Sequence, residues 1–182
     1  MGGRADNLVA ECKRQEESCL YTSTTLFEWL KCMRVVKVIF VVAPIILGGV
    51  AAWPLLSNQN AYKWVTGVCA LLAGFAPAIY KALDLDVNLN LIAKQANVFK
   101  TLQDRFRQAR TVTALGAFEE FEEEFDRLMA RMDDARASSL TAPERFFRKA
   151  QAKIDAGHYD FAVDAKTGQT EIQTGMAERP AN

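Results

Sequence analysis

Few residues of this chain combine a reactive side chain with a neighbour that could assist it. The single histidine, His158, follows a predicted helix end in the sequence AGHYDF, where a histidine more often caps or packs than acts as a base. Asp84 and Asp86 are close in sequence, but a helical spacing of two places them on different faces. We therefore interpret the two aspartates as a polar boundary and not as an acid and base couple.

Thiols and clustered carboxylates could bind a metal, but their spacing does not favour it. Cys12, Cys19, Cys32 and Cys69 form no CxxC pair, and we interpret them as reduced, small hydrophobic residues. The acidic run between residues 119 and 126 lacks the glycine turn of an ordered calcium loop, so it predicts a solvated helix face. The chain also has no G-x-S-x-G elbow, no phosphate-binding glycine loop and no HExxH pair. These patterns predict no catalytic site, no cofactor and no metal, and therefore a protein that is not an enzyme.

The dominant feature is the uncharged stretch VIFVVAPIILGGVAAWPLL, residues 38–56, in a chain with 24% charged residues. A helix of this length is roughly 28 Å long, close to the ~30 Å hydrocarbon thickness of a bilayer. Its valine, isoleucine and leucine side chains point all round the helix, whereas a soluble core helix usually keeps one polar face. The stretch predicts a membrane span, and the position after 37 mostly polar residues argues against a cleaved secretory signal.

A second uncharged stretch, WVTGVCALLAGFAPAIY at residues 64–80, predicts a second span. The connection SNQNAYK is so short that the spans must form a hairpin, and Trp53, Tyr62 and Trp64 cluster around it as in an interfacial aromatic belt. Basic residues are concentrated on the outer flanks, which predicts that both termini are cytoplasmic. They are Lys31, Arg34 and Lys37 before the hairpin and Lys81 and Lys94 after it, against Lys63 alone in the loop.

Small residues recur at intervals of four in both spans and would let helix backbones approach closely in lipid. They are the helix-packing or pore-lining candidates Gly48, Ala52, Ala70, Gly74 and Ala78. Pro44 and Pro77 lie inside the spans and predict kinks. The carbonyls that the kinks free could line water or be satisfied locally, and we favour packing over gating. The near absence of charge in the spans argues against a proton relay or a transporter site.

The remaining chain has helical periodicity on both sides of the predicted hairpin. Residues 1–37 predict an N-terminal cytoplasmic amphipathic helix, and residues 81–161 predict a cytoplasmic helical region with helices at 81–110, 117–136 and 142–156. The alternation in DLDVNLNL would also fit a strand, but the helical pattern is longer. In TAPERFF, Thr141 and Glu144 predict a capping box. Residues 162–182 are rich in Gly, Thr and Gln and predict a loosely ordered tail.

One apolar stripe leaves the second span and runs along the helix predicted at 81–110. Without a glycine or proline break, such a helix predicts a stiff coupling element between the cytoplasmic region and the hairpin. The members of this predicted coupling helix are Leu85, Leu89, Ile92, Phe99, Leu102 and Phe106. The fold class predicted from these elements is all-α, a two-span transmembrane helical hairpin with flanking N- and C-terminal cytoplasmic helices.

The arrangement resembles the SLATT domain over roughly residues 8–161. The resemblance lies in SCLYTSTTLFEWLKCMRVVKV, VVAPIILGGVAAW, GVCALLAGFAPAIY, LNLIAKQANVFKTLQDRFRQAR and PERFFRKAQAKIDAGHYDF. It implies a multi-pass effector of the bacterial inner membrane that oligomerises into pores in antiphage defence and causes abortive infection. It also implies a sensor or nucleotide-second-messenger partner encoded nearby, because the chain carries no recognisable nucleotide sensor of its own.

Two functional hypotheses follow from the sequence. In the first, several copies assemble into a pore that the cytoplasmic helices keep closed. In the second, the protein is a non-conducting membrane anchor or scaffold that recruits a cytoplasmic partner. The formal net charge is zero, so a nucleic-acid-binding role is not indicated.

Overall fold

The structure is a computed structural model that describes residues 2–56 and 63–159, with side chains described for residues 3–53 and 64–159. Over these ranges the chain forms helices and turns and no strand, which confirms the all-α prediction. The helices are α1 (Gly2–Leu56), α2 (Lys63–Ala82), α3 (Leu85–Thr111), α4 (Phe118–Ala137) and α5 (Glu144–Asp155), with a 3₁₀ turn at Thr113–Leu115. The predicted tail at 162–182 and most of the loop SNQNAYK lie outside the described residues.

Helix α1 joins the predicted N-terminal helix and the predicted first span without interruption. The run Thr22, Ser23, Thr24, Thr25 is unfavourable for a helix on propensity alone. Its hydroxyls bond to the same helix: Thr22 Oγ1 donates to Ser18 O at 2.9 Å and Thr25 Oγ1 to Tyr21 O at 2.7 Å. Ser23 Oγ likewise donates to Leu20 O at 3.1 Å, so the helix carbonyls satisfy the hydroxyls of the buried Ser23 and Thr25.

The prediction of an unbroken helix from the second span into residues 81–110 is wrong. Helix α2 ends at Ala82, α3 begins at Leu85, and Asp84 between them is left-handed at φ 43°. Aspartate tolerates this conformation better than most residues. Asn88 Nδ2 donates to Leu83 O at 3.0 Å, so the side chain of Asn88 satisfies a carbonyl that the break leaves without a helical partner.

Helices α4 and α5 lie close to their predicted ranges, but the predicted capping box does not form. The N-cap of α5 is Pro143, with no side-chain cap, and Glu144 instead pairs with Arg148 at 2.9 Å. Proline is suited to this position because it has no N–H to satisfy. At the other end Gly157 is left-handed at φ 73°, and His158 N donates to Lys153 O at 3.2 Å, as in a Schellman motif.

Residues 2–37 of α1 pack with α3, α4 and α5 into what we call the helical body. The buried face of the predicted N-terminal amphipathic helix lies here and includes Cys12, Cys19, Leu26 and Leu30. Arg110 Nη2 at the end of α3 pairs with Glu16 near the start of α1 at 3.2 Å, and Asp86 at the start of α3 pairs with Lys37, so the two helices run antiparallel. The core comprises Cys12, Cys19, Leu26, Leu30, Leu89, Ile92, Ala96, Phe99, Leu102, Phe106, Ala109, Phe121, Leu128, Met132 and Ala135.

Candidate functional site

Two helices are long and apolar enough to span a membrane, and their apolar stretches are almost uncovered. We call residues 38–56 of α1 together with α2 the apolar arms. Only 6% of the most apolar window of either helix is buried, whereas the core helix of a soluble protein is mostly buried. Large side chains such as Ile45, Ile46, Leu71 and Phe75 are exposed on these helices. This exposure supports membrane association of the arms.

The small residues predicted to pack in the spans lie on the surface of the chain. Gly48, Ala52, Ala70, Gly74 and Ala78 are all exposed. A Cβ atom built on Gly48 or Gly74 would meet nothing within 4 Å. The small side chains are therefore not required for the contact between α1 and α2 of one chain, and their faces are open to lipid or to another molecule.

The apolar stripe of α3 is a buried face of the helix. All six of its named members, Leu85, Leu89, Ile92, Phe99, Leu102 and Phe106, are buried. Except for Leu85, they belong to the core shared with α1 and α4. The stripe thus holds α3 against its neighbours by side-chain packing. The helix itself is interrupted between α2 and α3, at Leu83 and Asp84.

The two aspartates at the start of α3 have different surroundings. Asp86 Oδ1 accepts a hydrogen bond from Lys37 Nζ at 2.6 Å, and this bond lowers the pKa of the exposed Asp86 carboxyl. Asp84 occupies the helix break. The two carboxylates therefore serve a helix junction, in keeping with the predicted polar boundary.

The thiols behave as packing groups in the helical body. Cys12 and Cys19 are buried in the core, and all four cysteines are free. Burial raises the pKa of Cys12 to about 11 and that of Cys19 to about 12, so both thiols stay protonated near neutral pH. Cys19 Sγ donates to Met132 Sδ at 3.6 Å. Among the described residues no group of three or more His, Cys, Asp or Glu side chains is placed to hold a metal ion.

The buried side chains of the described residues include one that is charged, Glu28, with 1% of its side chain exposed. Glu28 Oε1 accepts hydrogen bonds from Lys31 at 2.7 Å and from Lys153 at 2.6 Å. Lys149 Nζ lies 2.9 Å from Oε2 and forms an ion pair with it. We call these four side chains the Glu28 cluster. It joins α1 to α5.

The lysines keep Glu28 ionised despite its burial. Burial acts to raise the pKa of a carboxyl group, but the bonds and charges of Lys153, Lys31 and Lys149 outweigh it and lower the pKa of Glu28 from 4.5 to about 2. The contact around the cluster is otherwise aromatic: Trp29 stacks on Phe146 at 6.5 Å between ring centroids, and Tyr21 lies 6.2 Å from Phe147.

An open groove of about 650 Å³ lies beside this contact, between α1 and the segment that leads into α5. Its floor is largely apolar, and the hydroxyls of Thr22 and Thr25 are already bonded to α1. We call it the Thr22 groove, and it is lined by Thr22, Thr25, Leu26, Leu140, Thr141, Ala142, Pro143, Glu144 and Phe147.

The Glu28 cluster was not identified from the sequence, although one signal was present. Glu28 is the one charged residue between positions 18 and 30, in a stretch that otherwise reads as a buried helix face. A single acid in such a stretch implies a partner, and Lys149 and Lys153 stand four apart beside the apolar face of α5. Both lysines lie more than 120 positions from Glu28, and helical periodicity does not predict a contact between residues so far apart in sequence.

Comparison with known proteins identifies no relative. No family model matches the chain, and neither a curated protein nor a solved structure matches it.

Proposed function

We propose that the protein is an oligomeric effector of the bacterial inner membrane that forms a pore, or otherwise disrupts the membrane, in antiphage defence. The observation that carries the proposal is the exposure of the apolar arms beside a well-packed helical body. Two helices cannot enclose a water path, so conduction requires several copies. The small-residue faces are open for that contact and allow close approach of helices in lipid.

In this proposal the arms form a transmembrane hairpin and both termini are cytoplasmic. A reporter that is active only in the periplasm should function when inserted at Asn58 and fail at either terminus, because the basic flanks remain inside. Activity at the C-terminus would contradict the topology. The activating signal would come from a sensor or nucleotide-second-messenger partner protein encoded nearby, acting on the helical body.

The decisive experiment is inducible expression in bacteria with a membrane-potential dye. We expect depolarisation and growth arrest, at the latest when the neighbouring genes and phage are also present. No depolarisation and no growth defect under all of these conditions would exclude a pore.

A matched pair of variants tests assembly. Gly74→Leu with Ala78→Leu should leave the isolated chain folded, because both positions are exposed and a Cβ atom at Gly74 meets nothing within 4 Å. It should abolish close contact between copies, and with it cross-linked oligomers and depolarisation. Val68→Leu with Phe75→Leu changes exposed positions that are already large and should have little effect.

The second candidate function is a non-conducting anchor or scaffold, and the Thr22 groove favours it. An apolar groove of about 650 Å³ next to α5 has the size and polarity of a binding site for a partner's side chains. An anchor would keep its partner at the membrane in the Gly74→Leu and Ala78→Leu variant, whereas a pore would lose conduction.

A further inference from the structure

We propose that Lys31, Lys149 and Lys153 form a binding site for a phosphate group, which holds α5 on α1 next to the buried carboxylate of Glu28. The phosphate is supplied either by free phosphate in solution or by the headgroup of an anionic lipid. The site itself does not require pore formation. The lipid source rests on the proposed membrane function.

The charge balance of the Glu28 cluster is the first argument. Three ammonium groups surround one carboxylate, which leaves an excess of two positive charges. Among residues 3–53 and 64–159 the three lysines have no other carboxylate partner. Free phosphate or a phosphate monoester carries a charge of about −1.5 to −2 near neutral pH, which matches the excess, whereas the phosphodiester of a lipid headgroup carries about −1 and offsets half of it.

The second argument is the mutual repulsion of the lysines. Lys31 and Lys153 are bonded to the same oxygen, Glu28 Oε1, at 2.7 and 2.6 Å, so their ammonium groups must lie close together. Like charges at such a distance repel each other, and a second anion relieves the repulsion. A lysine ammonium is a common phosphate ligand because its three donors rotate freely.

The third argument is accessibility. Lys31 is 62% exposed and Lys149 58% exposed, so both can reach an anion on the solvent side while Glu28 stays buried. Lys31 also stands seven residues before the apolar arm, about 10 Å along the helix, which is within reach of a headgroup.

The test is thermal unfolding of the full chain in two series of measurements. In detergent, inorganic phosphate is titrated against sodium chloride at equal ionic strength. In nanodiscs, phosphatidylcholine alone is compared with a mixture containing phosphatidylglycerol. We expect a saturable rise of about 2–4 °C in the thermal midpoint in at least one series. A rise in the phosphate series identifies free phosphate as a source, and a rise restricted to the phosphatidylglycerol series identifies the lipid.

Two variants and one control complete the test. Lys149→Gln with Lys153→Gln should lose the rise. Arg145→Gln with Arg148→Gln removes two charges from the same helix and should keep it. Glu28→Gln removes the carboxylate but keeps all three lysines, so a phosphate site should bind several-fold more tightly, with circular dichroism reporting whether the helices remain. The proposal is overturned if neither series shows a rise in the thermal midpoint, if the lysine variant retains that rise, or if Glu28→Gln loses it while still helical.

The assignment of the site is separable from the proposed function. A chain that binds phosphate but never depolarises a membrane would contradict the pore and leave the site intact. A chain that depolarises membranes without a phosphate-dependent rise would contradict the site alone.

Discussion

The helical body is connected to the apolar arms twice, and the two connections differ. The first is the continuous helix α1, which passes from the buried Leu30 into the apolar arm with no change of backbone conformation. The second is the two-residue break at Leu83 and Asp84, with Asp84 left-handed. A continuous helix transmits rotation and tilt, whereas a break absorbs them. From this difference we expect α1, more than the predicted α2 to α3 lever, to couple the two regions.

The largest effect is expected when the side-chain packing of α3 is disrupted. Leu89→Asp with Ile92→Asp places two charges in the core and should cost several kcal/mol, because an ionised carboxylate is buried without a partner. The helical body should unfold in thermal melts while membrane insertion persists, since both apolar arms are unchanged.

The matched control places two aspartates on the exposed side of the same helix. Asn90→Asp with Asn97→Asp should change the unfolding free energy by less than about 0.5 kcal/mol at each site. If the buried pair melts like this control, the stripe does not hold α3 against α1, and the comparison of the two connections fails.

The next effect concerns the contact between α1 and α5. The folded pKa of Glu28, about 2, is below its ordinary value of 4.5, so its stabilisation is present above about pH 4.5 and is lost as the pH falls towards 2. We expect roughly 1–3 kcal/mol of protection from amide hydrogen exchange in α5 to disappear over this interval.

The control for this pH dependence is Glu28→Gln, which has no charge to titrate at that position. Its α5 protection should be weaker at pH 7 and nearly flat between pH 5 and 2. A variant with the same acid profile as the parent chain would show that other carboxylates cause the loss.

Two double substitutions to glycine, one in each connection, compare the two connections directly. Val35→Gly with Val36→Gly should cost roughly 0.3–0.5 kcal/mol per residue in helix propensity and loosen the backbone of α1 at this point. Leu83→Gly with Asp84→Gly loosens a position that is already broken. In the proposed effector, depolarisation should be lost in the first pair and retained in the second. The reverse result would return the coupling role to α3.

The smallest effect is expected at the ion pair that joins α1 to the start of α3, next to the second connection. Lys37 and Asp86 are both exposed by roughly half, and such pairs contribute little because water and salt screen them. Lys37→Gln should leave the thermal midpoint unchanged within experimental error. A clear loss of stability would show that the second connection is more rigid than its backbone indicates.

The sequence was sufficient for the elements whose patterns are local. The apolar arms, the stripe of α3 and the approximate ranges of α4 and α5 follow from hydropathy and helical period. The break at Asp84 was missed because neither glycine nor proline marks it, and aspartate can be left-handed without a strong signal. The Glu28 cluster was missed because its members come from two helices that only the folded chain brings together.

The hydroxyl run in α1 has a consequence for motion. Thr22, Ser23 and Thr25 donate to carbonyls of their own helix, at 2.9, 3.1 and 2.7 Å. Their hydrogen bonds therefore travel with α1 and are not shared with the helices around it. A small axial slide of α1 would break none of these bonds, whereas it would separate the ion pairs of Glu16 with Arg110 and of Glu28 with Lys153 on either side of the run. The axial position of α1 in the helical body therefore depends on those ion pairs and on side-chain packing, and not on the hydroxyl run.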